Sequence, residues 1–297
     1  IGKICVGGVR VTLRRILKRG GLTDAEAGQI AALLQLETSL DEPLSYADTV
    51  AMKPKLAACG QLLSMIRQHA GESYEATLDY FRQEGLLEKQ PFGIVDSGWV
   101  GSLQQTLGRL LTAASGEEPG DRLHGFYFGL YELPHGVNKS LYHTFYFRPY
   151  RDIEKKVRFS NCLYEAVCSA AEGMTVGYRR DGQRIAAVYE TQRNPNEEKI
   201  AANEERLNRI LAGTKRVREQ ALPMKEVRRR LERLMCSPTR EEADCYGSWL
   251  FSDDVCSDGR QTVAAALQED ELRDLHPFRR LLIMKGILKR ELKDSAW

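Results

Sequence analysis

The chain has 297 residues, enough to bury a substantial core as one large domain or two smaller ones. Its 43 Lys and Arg against 41 Asp and Glu leave a formal net charge of +2, which argues against a dedicated nucleic-acid binder. No apolar run approaches a membrane span, and no signal-peptide pattern is visible at the start.

The seven cysteines (Cys5, Cys59, Cys162, Cys168, Cys236, Cys245 and Cys256) form no Cys-x-x-Cys pair and are odd in number. They read as scattered free thiols of a reducing cytoplasm rather than as a zinc site. The chain begins without Met and stops on Ser295-Ala-Trp297, so a fragment of a longer protein is expected.

Lys3 to Val6 reads as a strand running into Gly7-Gly8, and Val11 to Lys18 as a basic helix. A Gly-Gly loop beside Arg10, Arg14 and Arg15 can hold phosphate; the plainer reading makes Gly7-Gly8 and Gly20-Gly21 turn punctuation. Thr23 and Glu26 have capping-box spacing and open a helix through about Leu36. Helices follow near Leu56–His69 and Ser73–Glu84, the second with Tyr74, Leu78 and Phe81 on one face and Gly85 as its cap.

Phe92 to Val95 then reads as a buried strand after Pro91, with Asp96 where the strand stops. Gly98 and Gly101 give the loop backbone freedom, Ser102 suits an N-cap, and Gln104 falls in the first turn of a helix from Leu103. A strand, a glycine loop and a helix N-terminus make an anion site of free N–H groups and a helix dipole. One reading is a phosphate or phosphosugar pocket, with Asp96 on a hydroxyl or on Mg²⁺. The other is a tight turn in which Asp96 caps backbone. Trp99 either stacks on a ligand ring or plugs the core.

From Leu123 the texture turns to strands. His124–Tyr131 and Tyr142–Phe147 flank the turn-former Pro134-His-Gly136 and predict a hairpin or two adjacent strands. Their aromatics suit core and cross-strand packing more than a sugar platform, and His135 and His143 read as a turn and a strand histidine. Asp152 to Ala171 reads as a helix carrying Glu165 near its apolar face, placed to receive a ligand hydroxyl or an arginine of Arg179-Arg180. Met174–Tyr178 and Arg184–Tyr189 predict a hairpin around Asp181-Gly182.

Asn194-Pro-Asn196 marks the sharpest boundary. Beyond it Glu197–Ala221, Met224–Met235, Thr239–Leu250, Thr262–Asp270 and Phe278–Leu292 read as helices. Basic residues at Lys215-Arg216, Arg218, Lys225 and Arg228–Arg230 alternate with Glu, the pattern of a solvated face, so no nucleic-acid partner is expected. The last helix, basic and apolar, suits docking on protein more than an anionic membrane surface.

Asp96-Ser-Gly-Trp-Val-Gly-Ser-Leu-Gln104 is similar to the D-x-G-W-x-G-[ST]-x-Q signature in the C-terminal region of predicted haloacid-dehalogenase-like hydrolases. These bacterial proteins are associated with cell-surface polysaccharide synthesis. Gly125-Phe-Tyr-Phe-Gly-Leu130, and Glu165 with Ser169–Tyr178, also resemble that region. The resemblance implies a phosphate-ester or phosphosugar ligand, or a nucleotide-like one, and the strand-loop-helix geometry offers Gly98, Trp99, Gly101, Ser102, Gln104 and Glu165 to hold it. Asp96 is the implied catalytic or metal-binding residue. It also implies a partner, the N-terminal catalytic domain of the same or another protein.

The phosphatase motif itself is absent, because Gly98 stands where the second acid of Asp-x-Asp belongs. Asp96 and Gly101 share their spacing with the loop of type I phosphoribosyltransferases, but Val95 replaces the first of that family's paired acids and Ser102 falls one position short of its threonine. Glycosyl transfer lacks its Asp-x-Asp, and Ser-His-Asp hydrolysis lacks a nucleophile elbow. A non-catalytic scaffold or interaction domain is the contrasting class. The expected architecture is α/β: a mixed sheet with flanking helices over 1–192, its crevice at Asp96–Ser102, then an all-helical part over 193–297.

Overall fold

The computed structural model describes residues 1, 4–5, 11–36, 40–189, 194–213, 222–251 and 261–264. The fold is α/β, with a three-stranded parallel sheet, an antiparallel pair and helices in the C-terminal part. The described residues fall into two compact units. One draws on Ile1–Gly85 and Gly173–Thr191, the other on Leu86–Glu172, Gln192–Phe251 and residues 261–264. The units interleave along the chain, so they cut it at other places than a single division at 192/193.

The first unit is built on four helices: α1 (Leu13–Arg19), α2 (Asp24–Leu33), α3 (Tyr46–Ala58) and α4 (Gly60–Gln83). Thr23 and Glu26 form the expected capping box on α2, with the Thr23 amide donating to Glu26 Oε2 at 2.8 Å. Ser45 and Asp48 form a second on α3. Leu13, Ile16, Leu17, Ile30, Leu56 and Leu62 are fully buried and make the core, each contributing roughly 1.5–3 kcal/mol by leaving water. Arg14 is taken up by Asp41 at 2.6 Å and Asp24 at 3.3 Å, which removes it from the phosphate reading of the first loop. Ile4 and Cys5 lie in a turn where a strand was expected, and Gly7-Gly8 and Arg10 lie outside the described residues.

The helices expected at Leu56–His69 and Ser73–Glu84 are one helix, because nothing from Ala70 to Glu72 stops it. A distant hairpin completes this unit: β4 (Thr175–Asp181) and β5 (Arg184–Tyr189), turned at Asp181-Gly182 as its sequence predicts. Gln83 at the end of α4 acts as a further strand residue. Its amide donates to the Ile185 carbonyl at 3.0 Å and accepts from the Ile185 amide at 2.7 Å. Arg180 pairs with Asp79 at 2.9 Å, not with Glu165.

The second unit holds the stretch singled out by its motif. Strands β1 (Phe92–Trp99), β2 (Leu123–Leu130) and β3 (Tyr142–Phe147) lie parallel in the order β1-β2-β3, with α5 (Ser102–Ser115) linking the first two. The aromatic strands are thus sheet neighbours rather than a hairpin, the second of the two arrangements the sequence allows. Strand β1 runs four residues past Val95, because Asp96, Gly98 and Trp99 keep ladder partners in Tyr127, Gly129 and Leu130. The order contains no reversal, so the crevice of a topological switch point is missing among the described strands.

The helix expected over Asp152–Ala171 is two short ones, α6 (Ile153–Val157) and α7 (Asn161–Val167). Ser160 breaks them by capping the Leu163 amide at 3.2 Å. Then come α8 (Glu197–Gly213), α9 (Met224–Cys236) and α10 (Arg240–Gly247). Leu250–Phe251 and Gln261–Thr262 pair as β6 and β7, so Leu250 and Thr262, expected at helix ends, lie in strands. Phe128 stacks on Tyr164 at 4.4 Å between ring centroids, and it joins Tyr146, Phe147, Phe159 and Trp249 in an aromatic core. The arginines Arg228, Arg229 and Arg230 of α9 are ion-paired with Glu154, Glu232 and Glu226, as an interleaved solvated face requires. Lys215-Arg216, Arg218 and the segment Phe278–Leu292 lie outside the described residues.

Candidate functional site at the turn from β1 to α5

The backbone at the end of β1 is unusual. Gly98 has φ of 113° and Trp99 of 131°, the latter in a region that non-glycine residues avoid. Gly98 is obligatory: a Cβ there would lie 1.7 Å from the Gly129 carbonyl oxygen. Gly101, left-handed at φ 64°, rather than Ser102, is the N-cap of α5. Ser102 is the first helical residue, and no side chain caps this end. The first turn therefore presents free N–H groups and the positive end of the helix dipole, beside the exposed side chains of Ser102 and Leu103.

Asp96 follows the backbone-capping reading with one oxygen. Its Oδ1 accepts from the Gly98 amide at 3.0 Å and from Ser97 Oγ at 3.4 Å. Its Oδ2 has no hydrogen-bond partner among the described residues. Glu165, from α7, meets the same turn. Its Oε1 accepts from Ser97 Oγ at 3.2 Å and from the Trp99 indole N–H, while Oε2 is without a partner among the described residues. Burial pushes the Glu165 carboxyl up towards its neutral form, against the two hydrogen bonds, and the Asp96 charge adds to the rise.

Trp99 answers the two readings of its ring in an intermediate way. It is 43 % exposed, and its ring lies against Tyr131 with centroids 6.2 Å apart, so it neither plugs the core nor stands free. Ser97 is the residue that sequence reasoning missed. Its hydroxyl sits between the two carboxylates, and a serine beside an aspartate gives no signal of a partner 68 residues away.

No family model and no curated protein matches the chain. The site therefore rests on its own geometry. The structure brings Asp96, Gly98, Trp99 and Glu165 together at one turn, with Gly101 and Ser102 at the helix start. Gln104 is turned away. It is 3 % exposed, and its amide nitrogen donates to the carbonyls of Leu123 at 3.0 Å and Leu141 at 3.2 Å. Its oxygen accepts from the Tyr127 hydroxyl at 2.9 Å, which burial keeps protonated far above the usual phenol range. Gln104 ties α5 to the sheet and has no donor left for a ligand.

Among the described residues no three His, Cys, Asp or Glu side chains converge as a metal site. Asp96 Oδ2, without a partner among the described residues, is a carboxylate oxygen open to a cation. A Mg²⁺ there would draw its other ligands from water and from phosphate oxygens of a bound molecule.

Proposed function

We propose that this chain binds a phosphorylated, hydroxyl-bearing small molecule, a sugar phosphate in the first instance, at the turn from β1 to α5. On this reading it is the binding portion of a haloacid-dehalogenase-like protein of bacterial polysaccharide synthesis. It works in the cytoplasm beside an N-terminal catalytic domain of its own or a partner chain. What supports the reading is the uncapped first turn of α5, which starts at Ser102 a short way along the chain from Asp96, whose Oδ2 has no partner among the described residues. A phosphate accepts from the N–H groups of that turn and gains from the dipole. Asp96 Oδ2 accepts from a sugar hydroxyl, and Glu165 Oε2, without a partner among the described residues, is open to a second ligand hydroxyl. Trp99, half-exposed, borders the ring. No covalent step is assigned, because no second acid stands two residues after Asp96.

A purely structural role is the competing reading. It is favoured by the engagement of Asp96 Oδ1 with the Gly98 amide and of Glu165 Oε1 with Trp99. A thermal-shift panel separates the two. It covers sugar phosphates, nucleotide sugars, phosphoribosyl diphosphate and inorganic phosphate, each with and without Mg²⁺, on the parent chain and on Asp96→Asn and Glu165→Gln. A ligand that binds only the folded state raises the melting temperature by mass action. A rise with one phosphorylated class, reduced in both variants, supports binding. A folded protein that shifts with none of them at millimolar concentration overturns it.

A further inference from the structure

On the sheet face away from α5, and towards the N-terminal ends of the strands, two imidazoles meet. In the ladder Phe126 stands opposite His143, so His124, two residues earlier on β2, shares that face as the diagonal neighbour of His143. His124 Nδ1 lies 3.0 Å from His143 Nε2. The other ring nitrogen of His124, Nε2, lies 2.9 Å from the Asp121 carbonyl oxygen. A carbonyl only accepts, so Nε2 carries the His124 proton and Nδ1 presents a lone pair to His143. Phe126 stacks on His143 with centroids 4.9 Å apart, which supports the ring from beside. The surroundings are open: Val95 is 88 % exposed, and Phe126 and Phe145 are each about half exposed.

We propose that His124 and His143 form a two-imidazole site for a borderline divalent transition ion of the Zn²⁺, Ni²⁺ or Cu²⁺ class. Two imidazole nitrogens at about 2.0–2.1 Å from one ion lie roughly 2.9–3.4 Å apart for ligand angles of about 90–110°. The observed separation falls within that range. A histidine metal ligand that gives its other N–H to a backbone carbonyl is the usual arrangement for fixing tautomer and orientation, and Asp121 supplies that carbonyl. Without metal, His143 Nε2–H donates to His124 Nδ1. On binding, the His143 proton moves to its own Nδ1, which has no partner among the described residues, and both facing lone pairs go to the ion. No proton is lost from the pair. Two protein ligands leave the remaining positions to water or to a ligand from solution, and imidazole nitrogen selects against Mg²⁺ and Ca²⁺.

The test is isothermal titration of the full chain, its thiols kept reduced, with Ni²⁺, repeated on His124→Asn, His143→Asn, His135→Ala and Asp96→Asn. The expected result is one equivalent of Ni²⁺ that disappears in both pair variants and persists in the other two. Retention in Asp96→Asn separates this site from the proposed phosphate site, so either can fail alone. Electron paramagnetic resonance of the Cu²⁺-loaded parent is a second measurement that needs no variant to fold, and coupling to two imidazole nitrogens is expected. Absence of that coupling, or Ni²⁺ binding unchanged in the pair variants, overturns the site and leaves a plain N–H···N hydrogen bond.

Discussion

Replacing Gln104 by leucine keeps the bulk of a side chain that is 3 % exposed and removes three hydrogen bonds at once. The Tyr127 hydroxyl, on a residue 2 % exposed, and the buried Leu123 carbonyl lose a partner. The Leu141 carbonyl is partly open and can turn to water. An orphaned buried polar group costs about 1–3 kcal/mol, so two of them cost about 2–6 kcal/mol. The leucine returns about 1 kcal/mol through its added apolar surface, and the net expectation is a loss of about 1–5 kcal/mol. Tyr127→Phe strips the hydroxyl and leaves Gln104 Oε1 unpaired, for about 1–2 kcal/mol. The double variant then loses less than the two single losses together, by about 1 kcal/mol, because each change removes the other's orphan. Urea unfolding followed by tryptophan fluorescence reads this directly, since Trp99 and Trp249 both lie in the second unit. The midpoint should fall with the slope unchanged. If Gln104→Leu unfolds within about 0.5 kcal/mol of the parent and instead loses phosphate-ligand binding, Gln104 is a ligand residue and the fold-closing argument fails.

Gly98→Ala puts a methyl group 1.7 Å from the Gly129 oxygen at a φ of 113°; soluble yield and circular dichroism should show loss of folding, and a protein with a parental melting temperature would refute the close approach. In the first unit, Glu26 faces His69 at 2.9 Å, and that hydrogen bond raises the His69 pKa above its usual 6.5. Its stabilisation is therefore complete below about pH 6.5 and fades as pH rises through the raised value. The Glu26 carboxyl, lowered first by the Thr23 amide and then by His69, loses its contribution as pH falls through its own depressed value. Melting followed from pH 5 to 8.5 should decline at the alkaline end in the parent and flatten in His69→Gln; equal slopes would sink the assignment.

Local signals in the sequence proved sufficient where the structure is local. Thr23 with Glu26, and Asp181-Gly182 between alternating strands, act over three or four residues and can be read without a fold. Ser45 with Asp48 and Thr239 with Glu242 carry the same capping signal. The end of β1 was not legible, because ladder partners more than thirty residues away extend it past Asp96. Gln104 reads from the sequence as a ligand residue in the first turn of a helix; only the arrival of Leu123, Tyr127 and Leu141 from later in the chain makes it buried and saturated. Glu165 is legible as a carboxylate on an apolar face, but its indole partner is 66 residues away and no spacing announces it.

The residues of the motif therefore divide by whether their polar atoms are already used. Gln104, Asp96 Oδ1 and Glu165 Oε1 are spent on closing the turn, and changing them alters the fold before any ligand. Asp96 Oδ2, Glu165 Oε2 and the first N–H groups of α5 are not, and any recognition at this turn must pass through them. That division makes Asp96→Asn a sharper probe than Asp96→Ala. The amide oxygen of asparagine can keep the bond from the Gly98 N–H, while its NH₂ replaces an acceptor by a donor at the free position. A ligand hydroxyl or a cation at Oδ2 feels that change in full, and the strained backbone of Gly98 and Trp99 does not.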